Sequence, residues 1–211
     1  MTNNDTSHLT ASDVAETRID TDLLITVSGP PGCGATTLCN RLSAAMDCPY
    51  VSGGDIFREL AEENDISLNQ QIAEADTSDS IDHALDERLQ SIAEKWGQAD
   101  KPFILESRLA GWLAGEHAGL RIWLGAPESV RLERIDGRVE TEAEMRVREV
   151  SEAGRYQSYY DIDVDDRKFY DLQINTARWD KEGVFQLVRA AIETYDREAD
   201  EGAFDTPPVD V

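Results

Sequence analysis

Lysine is scarce in this chain: only Lys95, Lys101, Lys168 and Lys181 occur, and the other basic residues are arginines. There is no run of 18 apolar residues, so no transmembrane helix is expected. The first 21 residues are polar and acidic, without the basic start and apolar stretch of a secretory leader, and the expected location is cytoplasmic. Cysteine is limited to Cys33, Cys39 and Cys48. Their spacing matches no zinc or redox motif, and an odd number cannot pair completely, so reduced thiols are expected.

Acid is abundant instead. Against 20 basic residues stand 43 acidic ones, and the net charge is -23. Such a surface repels nucleic acid and anionic lipid at low salt, which argues against both as partners. The charge fits either a disordered acidic interaction protein or a folded protein solvated for a salt-loaded, halophilic cytoplasm. Apolar periodicity through the middle of the chain and the even spread of the acids favour the folded reading. The shortage of lysine agrees, since its long stem exposes apolar surface. With 40% hydrophobic residues in 211, one sizeable core is available. The expected organisation is a disordered acidic arm over 1–21, one domain over 22–196, and an acidic tail over 197–211. A monomer is expected.

Between those tails apolar runs alternate with helical patterns. Leu23 to Val27 is a short apolar run ended by Gly29, as in a buried strand. Leu38, Leu42 and Ala45 share one side of a helix over 36–46. Tyr50-Val51-Ser52 reads as a second strand stopped by Gly53-Gly54, with Asp55 capping a helix over 56–63. A charged helical span covers 67–95, with Ile72, Ile81, Leu85, Leu89 and Ile92 at helical spacing. Strands are expected at 103–105, 120–124 and 169–174. Helices are expected from Pro127, at the first helical position, to about 137, then over 141–156 and 181–195. This alternation predicts an α/β fold: a parallel five-stranded sheet with helices on both faces, whose ligands sit at the carboxyl ends of the strands.

The first strand runs into Gly29-Pro30-Pro31-Gly32-Cys33-Gly34-Ala35-Thr36-Thr37. The phosphate-loop pattern is G-x-x-x-x-G-K-[ST]. Glycines let the backbone curl so that N–H groups face a phosphate, and the helix start behind them favours an anion. All nine residues of 29–37 are therefore candidate nucleotide-binding positions, and the Thr36 hydroxyl is a candidate Mg²⁺ ligand. Ala35 stands where the pattern has lysine. Loss of that charge predicts a rate lower by roughly 10²–10³, by analogy with deleting one transition-state donor. A bare strand-to-helix turn is the simpler alternative for the same glycines.

Other stations follow in order. Ser52-Gly53-Gly54-Asp55-Ile56-Phe57-Arg58 comes after the second strand, and Glu106-Ser107-Arg108-Leu109-Ala110-Gly111-Trp112 after the third. Arg131, Arg134 and Arg138 lie at helical spacing, and Arg148, Glu152 and Arg155 form a second row. Asp161-Ile162-Asp163-Val164-Asp165-Asp166 precedes Tyr170-Asp171-Leu172 and Asn175-Thr176; it lacks the glycine and terminal glutamate of a calcium-binding loop.

Together these segments resemble the archaeal cytidylate kinases of the nucleoside-monophosphate kinase family, over about 23–195. Ser107 stands where that family usually has glycine. The resemblance implies ATP and Mg²⁺ at the phosphate loop and CMP or dCMP as acceptor. It assigns the acceptor to Ser52, Asp55, Arg58 and Arg108, the reading of the pyrimidine or its sugar to Glu152, and Mg²⁺ or its waters to Glu106. It implies a helical acceptor-binding segment near 60–95 and a short lid whose catalytic arginines, Arg131, Arg134, Arg148 and Arg155, close over the moving phosphoryl group. Each also has a plainer reading: Arg58 as a solvated helix residue, Glu106 as a satisfied strand-end carboxylate, Trp112 as core, and the lid arginines as ion-paired with neighbours such as Glu133 and Glu149. One of Arg131 and Arg134 is expected to fill part of the charge missing at Ala35. Two alternatives to an active cytidylate kinase stay open: an inactive nucleotide-binding paralogue, and a kinase for another small acceptor such as dephospho-coenzyme A.

Overall fold

A computed structural model of the chain describes residues 18–67, 70–71, 80–135, 142–205, 209 and 211. Five strands, β1 (Leu24–Ser28), β2 (Tyr50–Ser52), β3 (Phe103–Glu106), β4 (Leu120–Gly125) and β5 (Leu172–Asn175), form one sheet in the order β2-β3-β1-β4-β5. All pairings are parallel. β1 is central and buried throughout, and it is mainly apolar for that reason, with Thr26 and Ser28 buried beside Leu24, Ile25 and Val27.

Helices cover both faces. α1 (Ala35–Met46) and α7 (Lys181–Thr194) bury Leu38, Leu42, Val184 and Val188 against Ile25, Val27, Ile122 and Ile174 on one side. On the other, α3 (Ser80–Gly97), α4 (Ala110–Leu113) and α6 (Glu142–Tyr160) pack against Leu24, Phe103, Leu105 and Trp123. Trp112 belongs to this second core, edge-on to Phe169 and Tyr170, as its plainer reading has it. Two shorter helices, α2 (Gly53–Glu63) and α5 (Glu128–Ile135), flank the carboxyl end of the sheet.

Several boundaries differ from the sequence reading. α2 starts at Gly53 rather than 56, with Ser52 in the N-cap position, so Asp55 lies within the first turn and is not the cap. Gly53 is helical and close-packed: a Cβ there would lie 2.9 Å from the Ser107 Cβ. Pro127 sits just outside α5, where its carbonyl accepts from the N–H groups of Val130 and Arg131. β5 begins at Leu172, because the apolar Phe169 and Tyr170 fill the core from a turn. Ile19 and Val209, assigned by sequence to the terminal segments, are both buried; the Ile19 N–H bonds to Ala45 O and Val209 O accepts from Gln90. Ile72 and Arg138 lie outside the described residues. Among the described residues no helix is long and apolar enough to cross a membrane. The three thiols are free and buried.

Candidate active site

Gly29 follows β1, and Gly34 sits before α1 with φ +99°; Gly32 has φ +78°. Both values fall in the left-handed region that glycine tolerates best. Space is as restrictive as conformation. A Cβ on Gly29 would lie 2.3 Å from Leu124 O, and one on Gly32 would lie 2.7 Å from Arg131 O. The loop is thus pressed between the end of β4 and the backbone of α5.

Its carbonyls are held from outside, one after another. Arg131 Nη1 donates to Pro31 O (2.9 Å), Arg134 Nη1 to Gly32 O (3.3 Å), and Thr176 Oγ1 to Cys33 O (2.8 Å). In a trans peptide the C=O and the next N–H point opposite ways, so the N–H groups of Gly32 and Gly34 turn toward the concave side. The Cys33 N–H closes a turn on Pro30 O (3.1 Å). Curled N–H groups at a helix start form an anion-binding surface. The Ala35 methyl is buried in the core beneath the loop, whereas Thr36 and Thr37 are exposed at the start of α1. Burial pushes the Cys33 thiol up to about 11, which keeps it protonated within the loop.

A cavity of roughly 630 Å³ opens here; besides residues 29–38 it is lined by Glu106, Arg134, Thr176, Trp179, Asp180, Lys181 and Val184. Glu106 ends β3 in register with Val27 and Ser52, so the sheet itself brings the carboxylate beside the loop. Tyr50 donates to Glu106 Oε2 (2.8 Å), and burial together with that carboxylate raises the phenol.

Ser52, Asp55 and Arg58 gather around the first turn of α2. A Cβ on Gly54 would lie 3.5 Å from Ser52 Oγ and 3.6 Å from Arg58 Nη1. Arg58 pairs with Asp55 on an exposed surface. Arg108 faces Glu152 across 3.6 Å, both largely buried. Arg155 turns toward α3 and meets Asp82 at 2.5 Å. Arg131 is buried and also pairs with Glu149, the contact named in its plainer reading. The structure therefore brings Arg131 and Arg134 onto the phosphate loop, Arg108 onto Glu152, and Arg155 onto α3. The Arg148 side chain lies outside the described residues.

Sequence reading missed the interface between α3 and α6. Asp82 and Asp86 are buried there, and Tyr160 donates to Asp86 Oδ2 (3.1 Å) while touching His83 Nδ1 (3.0 Å). Burial pushes the Asp86 carboxyl up to about 7, against the hydrogen bond from Tyr160. Their signal was present: both aspartates follow by one residue the apolar Ile81 and Leu85 of the helix stripe. Among the described residues no cluster of three His, Cys, Asp or Glu side chains is arranged to hold a metal.

The chain matches the AAA domain family over residues 25–157. It is 48% identical to a cytidylate kinase of Haloquadratum walsbyi over 187 residues, covering 86% of this chain and 95% of that protein. A cytidylate kinase of Haloarcula marismortui is 47% identical, covering 85% and 94%. The chain belongs to the cytidylate kinase family. Among solved structures, a gluconokinase from Sinorhizobium meliloti shares the fold at a TM-score of 0.54 and 14% identity, covering 82% of this chain and 93% of that one. In the pattern G-x-x-x-x-G-K-[ST], laid on Gly29 and Gly34, Ala35 stands where the pattern has lysine.

Proposed function

We propose that the protein transfers the γ-phosphoryl group of ATP to CMP or dCMP. The observation that carries this reading is the cavity in which the glycine loop, Glu106 and Arg134 meet, in a chain nearly half identical to proteins named cytidylate kinase. Phosphoryl transfer of this kind needs no covalent intermediate; it needs in-line positioning and neutralisation of charge. In this reading residues 29–37 cradle the ATP phosphates through backbone N–H groups. Ser52, Asp55, Arg58 and Arg108 hold the acceptor, and Glu152 orients Arg108 and reads the pyrimidine or its sugar. Arg131, Arg134, Arg148 and Arg155 neutralise the migrating group. Arg134 lines the loop cavity already, so it supplies part of the positive charge absent at Ala35.

The donor set suits Mg²⁺ held mainly by substrate oxygens, the usual habit of that ion, because the loop cavity offers few hard oxygen ligands, among them the exposed Thr36 hydroxyl and the Glu106 carboxylate. Bound there, Mg²⁺ would neutralise phosphate charge. The domain in this reading spans 22–196, and the protein acts as a cytoplasmic monomer.

ADP release measured with CMP, dCMP, UMP and AMP in molar KCl tests the proposal. Turnover confined to CMP and dCMP is expected. Nucleotide binding with no turnover on any acceptor would make the chain an inactive relative. Turnover on a different phosphate acceptor would remove the pyrimidine assignment.

A further inference from the structure

The contact between α3 and α6 is built on charge. Asp82 lies in the first turn of α3 and Asp86 one turn on, and both are buried. Like charges at i and i+4 repel, so this placement needs a partner from outside the helix. α6 supplies it. Arg155 meets Asp82 through Nε at 2.5 Å, and Tyr160 donates to Asp86 Oδ2 at 3.1 Å. On its own helix Arg155 Nη1 donates to Ser151 Oγ at 2.5 Å, one turn back. The guanidinium is thus fixed from two helices at once.

The pair is shielded, unlike that of Arg58 with Asp55. The side chains of Arg155 and Asp82 are 15% and 9% exposed, against 57% and 60% for Arg58 and Asp55. Salt screens exposed pairs and leaves buried ones largely intact, so the Arg155 contact persists in molar KCl. Stability alone does not call for it. Replacing a buried ion pair by apolar residues of similar volume is often neutral or stabilising. Holding one arginine in a single rotamer serves another end: it removes the search of a long flexible side chain before a reaction step.

α3 is itself tied to the acceptor side. Its Arg88 pairs with Glu59 (3.4 Å) and Glu63 (2.9 Å) of α2, the helix that carries Asp55 and Arg58. A Cβ on Gly53, at the start of α2, would lie 3.5 Å from Leu89 Cδ1 of α3. The loop cavity is lined by Arg134 instead. A chain of contacts therefore runs from α2 through α3 and Asp82 to Arg155. We propose that Asp82 is a positioning residue for phosphoryl transfer: it fixes Arg155 from the acceptor-binding helix, so the guanidinium is carried to the moving phosphoryl group by the element that carries the acceptor. The role rests on the kinase reading above, in which Arg155 neutralises that group. Asp82 acts through Arg155 and not on the substrate itself.

Asp82→Asn keeps the shape and removes the charge. With ATP saturating in molar KCl, kcat for CMP is expected to fall by about tenfold to a hundredfold, the scale of misplacing one transition-state group, while the KM for ATP moves by less than about threefold. Asp82→Glu, which keeps the charge, should recover most of that loss. In an Arg155→Gln background Asp82→Asn should cost less than about twofold more, because the two residues act as one unit. NMR of the arginine Nε–H groups gives a readout independent of turnover. The Arg155 proton, assigned from Arg155→Lys, should exchange with water slowly in the wild type and quickly in Asp82→Asn. A wild-type Arg155 proton that exchanges as fast as that of Arg58 overturns the proposal, even where Asp82→Asn does not fold. Unchanged kcat in Asp82→Asn, or an equal loss in the Arg155→Gln background, overturns it too. These results leave wild-type turnover of CMP intact. Absence of that turnover instead sinks the kinase reading, and the role of Asp82 with it.

Discussion

Arg134 and Thr176 are joined twice: one guanidinium nitrogen donates to Thr176 Oγ1 at 2.8 Å, and the other to the Thr176 carbonyl at 2.9 Å. The same hydroxyl donates onward to Cys33 O, so α5, the end of β5 and the phosphate loop meet at one buried threonine. Replacing Thr176 by valine keeps the shape and removes the hydroxyl. The Cys33 carbonyl then loses its partner, at a cost of about 1–3 kcal/mol. The melting temperature is expected to fall, and nucleotide affinity to fall with it. Unaltered ATP binding in Thr176→Val would show that the loop keeps its form without this contact.

Ala35→Lys is expected to raise turnover with CMP by roughly 10²–10³, the scale of one transition-state charge contact. The methyl of Ala35 is buried, but the position opens α1 beside the exposed Thr36, so a flexible lysine stem has a route to the cavity. Steady-state kinetics settles this. A change smaller than about threefold, under 1 kcal/mol, would mean that Arg134 already supplies the charge in full.

Asp86 makes stability depend on pH. An unfolded aspartate ionises near 3.9, whereas the buried Asp86 does so at about 7. Between those values unfolding releases a proton, so stability falls as pH rises from about 4 to about 7 and is level above. The penalty is on the order of a few kcal/mol. Thermal melts at acidic and mildly alkaline pH should show the wild type losing stability on the way up. Asp86→Asn, which still accepts from the Tyr160 hydroxyl, should flatten that part of the profile. An unchanged slope in the variant would place the titration elsewhere.

The net charge of -23 opposes the compact state at low ionic strength. Raising KCl from about 0.1 M to about 2 M shortens the screening length to below the spacing of most surface charges, and the melting temperature should climb steeply. A salt-independent melt would rule out charge repulsion as the main opponent of folding.

The sequence exposed the sheet well because its inner strands are buried and appear as mainly apolar runs, interrupted inside by Thr26 in β1 and by Arg121 in β4. It misplaced β5 because Phe169 and Tyr170 are apolar for a different reason: from a turn they pack edge-on against Trp112 and tilted against Trp123. It missed the short α4, whose residues pack instead of showing a periodic stripe. The candidate site was legible as far as motifs reach: glycines at fixed offsets named the loop, and strand ends named Ser52 and Glu106. The Glu149 partner of Arg131 was named in advance, but what Arg134 and Arg155 touch was not legible. A helical row states that side chains share a face, not whether they meet a backbone carbonyl, a glutamate or an aspartate on another helix.

The glycine loop has its final consequence in thermodynamics. Its three outward carbonyls are bound by Arg131, Arg134 and Thr176 rather than by anything a nucleotide brings. A phosphate arriving at the concave side therefore has little backbone to organise, and capture should follow a single fast phase with a small entropic penalty, the rate set by encounter against an acidic molecule and so accelerated by salt.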